Sequence, residues 1–199
     1  MVEAAYRLMS ARGYMRTTMA EIAAEAGVAV QTVYFTFHNK PAVMRAAFEF
    51  AVLGDHLPIT PIKRPWFRAL EQEPDYKRAL AIFVSANMEI LRRVVPLATV
   101  FDALGDDPEI ASFHVLSERL RRDGFRVVVD NLKRKRPLRS GLSPEDATTI
   151  LLVLLSVGLY RSMLAEHGWT EQKWRAWVIE TLSESMFGPN PKSSPTSKR

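Results

Sequence analysis

The sequence predicts an all-α fold of about nine helices, with a three-helix N-terminal head containing a helix-turn-helix and a larger C-terminal helical domain. Apolar residues recur at a helical period in nearly every segment of the 199-residue chain. No Asn-Gly or Asp-Gly turn lies between alternating apolar runs, so the sequence gives no β-hairpin signal. A composition of 47% hydrophobic and 25% charged residues is typical of a soluble globular protein.

The first two helices are predicted from their end signals. The first covers about residues 2–12 and ends at Gly13, because glycine readily adopts the positive φ that ends helices. The second begins at Thr18, whose hydroxyl can cap the helix, and Glu21 completes a capping box three residues later. This second helix ends before Gly27.

Residues 28–37 are rich in β-branched and aromatic side chains, so propensity alone would make them a strand. Their positions indicate a helix-turn-helix instead. Two helices that cross nearly at right angles need a small residue at the crossing and a turn residue that tolerates positive φ, and Ala23 and Gly27 meet these needs. Val33, six residues after the glycine, would plug the crossing. We therefore expect a short helix over about residues 30–36, held by packing.

The rest of the chain is predicted to be helical with few interruptions. Helices are expected over residues 41–53, 75–95, 97–104, 107–136, 143–166 and 170–187. Four prolines between residues 54 and 74 forbid a continuous helix there, and Pro96 is expected to end a helix. Residues 188–199 are rich in Pro, Ser and Lys, so we expect a disordered tail.

The formal net charge of +5 favours an acidic partner, and nucleic acid is the first candidate. The excess is uneven, since residues 119–139 hold nine basic residues and two acidic ones. Such a run is usually a solvated helix face and loop, so we do not assign it a site.

The chain has no cysteine, which excludes a disulfide framework and a zinc site built on thiolates. Residues 1–13 contain an acid and no long apolar run, unlike a signal peptide. The longest apolar run, residues 150–160, is shorter than the roughly 20 residues of a membrane span. We expect a cytoplasmic protein with no membrane segment.

No group of residues indicates catalysis. The four histidines, His38, His56, His114 and His167, are scattered without metal-ligand spacing. The sequence contains neither a Gly-rich phosphate loop nor a Gly-x-Ser-x-Gly elbow. We therefore expect no catalytic residue, no bound metal and no cofactor, and the protein is predicted not to be an enzyme.

The N-terminal motifs resemble a known family. The segments TMAEIA (18–23), AGV (26–28) and TVY (32–34), together with Phe37 and Lys40, are similar to the N-terminal signature of tetracycline-repressor (TetR) family transcriptional regulators. The motif resemblance covers about residues 4–53; beyond it, only helix number and length agree. It implies a DNA-binding domain over residues 1–53 and an effector-binding and dimerisation domain over residues 54–187.

The resemblance also implies which residues contact DNA. These are Thr18, Val30, Gln31, Thr32, Tyr34, Phe35, Thr36 and Lys40. Tyr34 and Lys40 match positions that touch phosphates, and Gln31 and Thr32 match positions near base edges, where glutamine suits adenine. Two alternatives stay open: Tyr34 and Phe37 as core aromatics, and Lys40 as an ordinary surface lysine.

The chain departs from the family pattern in two places. Ala29 stands where a Ser or Thr often precedes the second helix of the motif, which removes a capping bond of about 1 kcal/mol. The basic stretch that usually precedes the first helix is also missing. Either the contacts of such an arm are absent, or the true start of the protein lies upstream of Met1.

In the family, the C-terminal domain binds an effector and pairs the subunits. Inward-facing residues that could line an effector site are Trp66, Phe67, Phe83, Asn87, Met88, Phe101, Phe113, His114, Leu120 and Tyr160. For each of them an ordinary core position is the alternative, because aromatic and Met residues at helical spacing are usually packing residues. The helices over residues 143–166 and 170–187 are expected to form a homodimer, with a buried pair within one chain as the alternative.

Together these features predict a transcriptional regulator that binds double-stranded operator DNA. By the resemblance it acts as a repressor that a small-molecule effector releases from the operator. The alternative is a helical small-molecule-binding protein of the same fold that has lost or weakened DNA binding.

Overall fold

The computed structural model describes residues 1–55, 60–103 and 107–188 of the chain. Within these ranges every regular element is a helix, which confirms the predicted all-α class. The α-helices are α1 (Val2–Arg12), α2 (Met19–Glu25), α3 (Val30–Phe37), α4 (Lys40–Leu53), α5 (Pro65–Gln72), α6 (Tyr76–Ala103), α7 (Pro108–Lys135), α8 (Pro144–Leu154), α9 (Val157–Arg161) and α10 (Glu171–Phe187). A π-helical turn, Ser162–Glu166, follows α9. A short 3-10 helix, Pro61–Lys63, precedes α5. If α8, α9 and the π-helical turn are counted as one interrupted helix, the described residues contain nine helices besides this 3-10 helix.

The helices form two compact units. Unit 1 holds Met1–Pro61 and Glu89–Leu120, and unit 2 holds Ile62–Met88 and the chain from Arg121 onward. These units reflect packing, and the functional division at residue 53 stays a prediction. The predicted tail lies, from residue 189 onward, outside the described residues.

In unit 1, helices α1 to α4 pack around small and flexible apolar side chains. Its fully buried side chains include Ala5, Met9, Ile22, Val33, Val43, Met44, Ala47 and Ala51. Tyr6 of α1 donates a hydrogen bond to the carbonyl oxygen of Arg93 at 3.0 Å and packs edge-on against Phe50. Because Arg93 belongs to α6, this contact links α1 to the part of α6 that lies in unit 1.

Unit 2 is built from larger side chains on α5 to α10. Its fully buried side chains include Leu70, Leu80, Leu132, Leu151, Leu155, Trp174 and Leu182. Part of the basic run pairs within this unit: Arg122 and Arg126 both form ion pairs with Glu145, and the guanidinium of Arg136 donates to the hydroxyl of Tyr76 at 2.8 Å. These contacts support leaving the run out of the candidate sites.

One predicted helix end was wrong, and one helix was not predicted. Pro96 does not end a helix, because α6 continues through it from Tyr76–Ala103. Pro96 has no N–H to donate within the helix, but it is exposed to solvent, where the helix can accommodate a proline. Helix α5 was not predicted from the sequence; it forms among the prolines because Pro65 occupies its first turn, where proline is tolerated.

The predicted helix over residues 143–166 is interrupted. Ser156 starts a new segment by accepting a hydrogen bond from the amide of Leu159 at 3.2 Å. The stretch Pro144–Glu166 is long and apolar enough to cross a membrane by length and composition alone. Within this chain, 33% of its most apolar window is buried. Much apolar surface of this stretch is therefore left uncovered by the described part of the chain.

Candidate DNA-binding site

The site begins at the start of α2, where the predicted capping box is present. The Thr18 side chain accepts a bond from the amide of Glu21 at 3.2 Å. The Thr18 amide and hydroxyl donate to the Glu21 carboxylate at 2.8 and 2.9 Å. These bonds lower the pKa of Glu21, so its ionised form stabilises the start of α2, and the cap weakens as the pH falls through that pKa.

The residues predicted for the crossing of α2 and α3 are buried there, and the predicted turn glycine has a positive φ. Val33 and Ile22 are fully buried, and Ala23 is 2% exposed. Gly27 adopts a φ of +67°, a conformation in which a residue with a side chain would be strained. Residues 30–37 are thus helical in spite of their strand-like composition, because the buried Val33 anchors them.

The outward side of α3 carries the residues that the sequence predicted to contact DNA. Gln31, Thr32, Tyr34, Phe35 and Thr36 are all exposed, and Val30 is half-buried. Half of the Tyr34 side chain and 85% of the Phe35 side chain remain accessible to solvent. The alternative that Tyr34 is a core aromatic is therefore not supported, whereas Phe37 is half-buried.

The start of α3 lacks a side-chain cap. Ala29 is the N-cap residue and makes no side-chain hydrogen bond there, as the sequence predicted. The backbone at Ala29 is already extended, with φ −68° and ψ 145°, which is the conformation that a capping serine uses.

Replacing Ala29 by serine is expected to raise the free energy of unfolding by about 1 kcal/mol, because the new hydroxyl can accept a bond from an amide of the first turn. Thermal unfolding should show a midpoint higher by about 2–4 °C. Ala24→Ser, at an exposed position inside α2, is the matched control and should be neutral or slightly destabilising. An unchanged or lower midpoint for Ala29→Ser would show that the missing cap does not weaken the fold.

Lys40 begins α4, next to the exposed face of α3. Its ammonium nitrogen lies 4.1 Å from the centre of the Tyr14 ring, which is a cation–π contact. Burial lowers the pKa of Lys40, and burial together with Asp107 and Glu109 raises the pKa of Tyr14. Lys40 is therefore held in a defined position, unlike an ordinary surface lysine.

Helix α4 is anchored at both ends by later parts of the chain. At its start, the Asn39 side chain accepts a bond from the Ala42 amide at 2.8 Å and donates to the Glu109 carboxylate at 3.0 Å. At its end, the guanidinium of Arg93 donates to the carbonyl oxygen of Ala51 at 2.7 Å. All these residues lie in unit 1.

The structure divides the ten predicted effector residues between the two units. Phe113, His114 and Leu120 are in unit 1, the side chain of Phe101 lies outside the described residues, and Trp66, Phe67, Phe83, Asn87, Met88 and Tyr160 are in unit 2. The expectation that all of them face inward was wrong for His114 and Leu120. Both are exposed, Leu120 by 62%, because the described chain does not cover that side of α7.

The effector candidates of unit 2 include a chain of aromatic contacts. The ring of Trp66 lies 5.7 Å from that of Phe67 and 6.0 Å from that of Phe83, and Phe83 packs edge-on against Phe125 at 5.1 Å. Phe125 is not among the residues predicted from the sequence. Tyr160 instead packs against Trp174 at 4.9 Å, so its contacts place it in the α9 to α10 packing.

Asn87 is a buried polar residue in unit 2. Its side chain is 6% exposed, and its Oδ1 atom accepts no hydrogen bond in the described structure. Leaving a buried acceptor without a donor costs about 1–3 kcal/mol. A ligand that donates a hydrogen bond would satisfy this atom.

Comparison with known proteins identifies the helix-turn-helix. The sequence profile described as "Bacterial regulatory proteins, tetR family" matches residues 1–47, which cover α1, α2 and α3. The chain carries an N-terminal domain of the TetR type. No curated protein shows a significant sequence match to it.

Solved structures share the fold of this chain along nearly its whole length. A regulator from Mesorhizobium loti, described as TetR-family, has 18% identity and a TM-score of 0.71, with 94% of each chain covered. FadR from Bacillus subtilis, solved in complex with stearoyl-CoA, has 16% identity and a TM-score of 0.69 over 95% of this chain and 97% of its own. SmeT, solved as a triclosan complex, has 19% identity and a TM-score of 0.70 over 98% and 93%.

Several contacts of this site had little or no sequence signal. The Asn39 cap could have been predicted, because asparagine before a helix with proline in its first turn is a common start. The bonds of Asn39 to Glu109 and of Arg93 to Ala51 join residues 70 and 42 positions apart, which no local pattern indicates.

Proposed function

We propose that this chain is a TetR-family repressor that binds double-stranded operator DNA as a homodimer and leaves it when a small-molecule effector binds. The observation that carries the proposal is the exposed face of α3, which a fully buried Val33 holds in place. A short helix with a free outer face can enter the major groove and meet base edges there. We also propose that the protein is cytoplasmic and that it has neither a catalytic role nor a bound metal or cofactor.

We assign the DNA contacts residue by residue. The Tyr34 hydroxyl and the Lys40 ammonium contact phosphates, and the ring of Tyr14 holds the ammonium in place. Gln31 pairs with adenine, and Thr32 lies beside the same base edges. Both donors of Thr18 are engaged by Glu21, so Thr18 contributes by fixing the start of α2 near the DNA backbone.

The proposed dimer uses α8, α9 and α10, the helices within residues 143–166 and 170–187. Val153 of α8 is 59% exposed, and Gly158 of α9 is exposed with nothing within 4 Å of the position of an added Cβ. An apolar helix that its own chain leaves uncovered needs a partner, and a glycine permits close helix approach. A two-fold operator also requires two α3 helices about one DNA turn apart.

The proposed switch acts through α4. Glu109 of α7 and Arg93 of α6 hold the two ends of α4 within unit 1. An effector that shifts α6 or α7 would therefore move α4 and with it the spacing of the two α3 helices in the dimer. Such an effector needs only to favour one spacing over the other by its differential affinity.

We propose that the effector has an apolar body and a hydrogen-bond donor. The aromatic chain from Trp66 to Phe125 would contact the body, and Oδ1 of Asn87 would accept from the donor. The apolar body agrees with the stearoyl-CoA and triclosan of the FadR and SmeT complexes. Neither compound is thereby assigned to this chain.

Asn87→Leu is expected to raise the free energy of unfolding by about 1 kcal/mol, because it removes a buried acceptor without a partner while keeping the side-chain size. Thermal unfolding should report a midpoint higher by about 2–4 °C, and the variant should lose its response to the effector. The matched control is Thr148→Val, because the buried Thr148 hydroxyl already donates to the carbonyl of Pro144 at 2.8 Å. Because Thr148→Val removes this hydrogen bond, it should destabilise the protein. A destabilised Asn87→Leu variant would show instead that Asn87 is a structural amide.

The alternative function is a ligand binder without DNA binding, and the uncapped start of α3 at Ala29 favours it. Sheared genomic DNA bound and recovered with the purified protein distinguishes the two functions. The repressor predicts that a small set of fragments is enriched and shares a two-fold symmetric sequence. If no fragment is enriched, the alternative replaces the repressor.

A further inference from the structure

Phe35 is an exposed phenylalanine in the middle of α3. Its side chain is 85% accessible to solvent, the largest exposed fraction among the large apolar side chains of the described residues. The neighbouring Val33 is fully buried, so the exposure of Phe35 follows from its place on the outward side of the helix. The fold gains little from this ring.

The outward face of α3 lacks the side chains that usually recognise guanine and cytosine. The segment VQTVYFTF contains no Arg or Lys, which pair with guanine, and no Asp or Glu, which accept from cytosine. The Thr36 hydroxyl donates to the carbonyl of Thr32 at 2.8 Å, so this donor is already used within the helix. The chemistry that remains is the Gln31 amide, the Thr32 hydroxyl and apolar surface.

We propose that Phe35 recognises the C5-methyl group of thymine in the major groove and selects operator half-sites rich in A·T pairs. This inference rests on the proposed DNA-binding function. The thymine methyl is the apolar group that a base pair presents in the major groove, and phenylalanine is one of the side chains that contact it. Contact between the two removes apolar surface of both from water.

Phe35 and Gln31 meet different base pairs. They are four residues apart on one face of the helix, a displacement of about 6 Å along its axis. Gln31 pairs with adenine in the proposed function, so the two residues together would read two separate A·T pairs in each half-site. The proposed contact of Tyr34 with a phosphate would not make the binding affinity depend on a thymine methyl group.

The test uses full-length protein and an operator obtained by selection from random double-stranded DNA. Each thymine of the selected site is then replaced by deoxyuridine, which lacks only the methyl group. Loss of one contacted methyl should weaken wild-type binding roughly fourfold, and loss of both symmetry-related methyls roughly fifteenfold. Phe35→Ala should bind the thymine and deoxyuridine operators equally well.

Gln31→Ala is the matched control, because it changes the same face of α3 and leaves the ring in place. It should keep the full sensitivity to deoxyuridine. Wild-type binding that no deoxyuridine replacement weakens would overturn the inference while leaving the proposed function intact. A methyl effect that persists in Phe35→Ala would overturn it as well, and a protein that binds no DNA at all would overturn the inference together with the proposed function.

Discussion

Tyr34→Ala is expected to lower operator affinity by about two orders of magnitude, without loss of folding or dimerisation. The hydroxyl of Tyr34 is proposed to donate to a phosphate, and hydrogen bonds to charged groups contribute about 1.5–3 kcal/mol each. A dimer loses two of them, so a total of about 3 kcal/mol is a conservative expectation. Because half of the side chain is exposed, the fold should tolerate its removal. Fluorescence anisotropy with labelled operator measures the affinity.

Tyr34→Phe is the control that separates the hydroxyl from the ring. It should bind nearly as weakly as Tyr34→Ala if the phosphate bond carries the effect. Gel filtration and circular dichroism check that both variants remain folded dimers. Loss of the dimer or of helix content in Tyr34→Ala would show that Tyr34 supports the core.

Val153→Glu is expected to convert the dimer to a monomer and thereby abolish specific operator binding. The side chain is 59% exposed in the single chain, so the monomer should stay folded. In the proposed dimer the new carboxylate would be buried without a partner, once from each subunit, at a cost of several kcal/mol. Analytical ultracentrifugation measures the mass, and anisotropy measures the loss of binding.

Val115→Glu is the matched control, since Val115 is an exposed valine on α7, outside the proposed interface. It should remain dimeric and keep its operator affinity. If Val153→Glu stays dimeric, the subunits do not pair through α8. If Val115→Glu is the variant that dissociates, the interface includes α7.

The parts of the site that the sequence predicted correctly depend on neighbouring residues. The capping box of Thr18 and Glu21 spans three positions, and the plug at Val33 follows Gly27 by six. Such short-range requirements leave a readable pattern, even where strand propensity points elsewhere. The exposure of Tyr34 and Phe35 follows from the same pattern, because Val33 fixes which side of α3 faces inward.

The sequence predictions were wrong where tertiary packing overrides the local rules for single residues. Pro96 should end a helix by local rules, yet α6 continues because Pro96 lies at an exposed position, where the helix can accommodate it. Leu120 was expected to face inward as an apolar residue, but the described chain leaves it exposed. The links from α4 to Glu109 and Arg93 depend on how distant segments meet, which periodicity cannot show.

The most direct test of the central claim is a salt titration of DNA binding. The affinity of the full-length protein is measured by anisotropy for a selected operator and for an unrelated duplex of equal length. A DNA-binding regulator predicts tighter binding to the operator and a slope of about −4 or steeper in a plot of log K against log salt, as several phosphates release their counterions. Equal affinity for both duplexes, or no binding to either at low salt, would contradict the account.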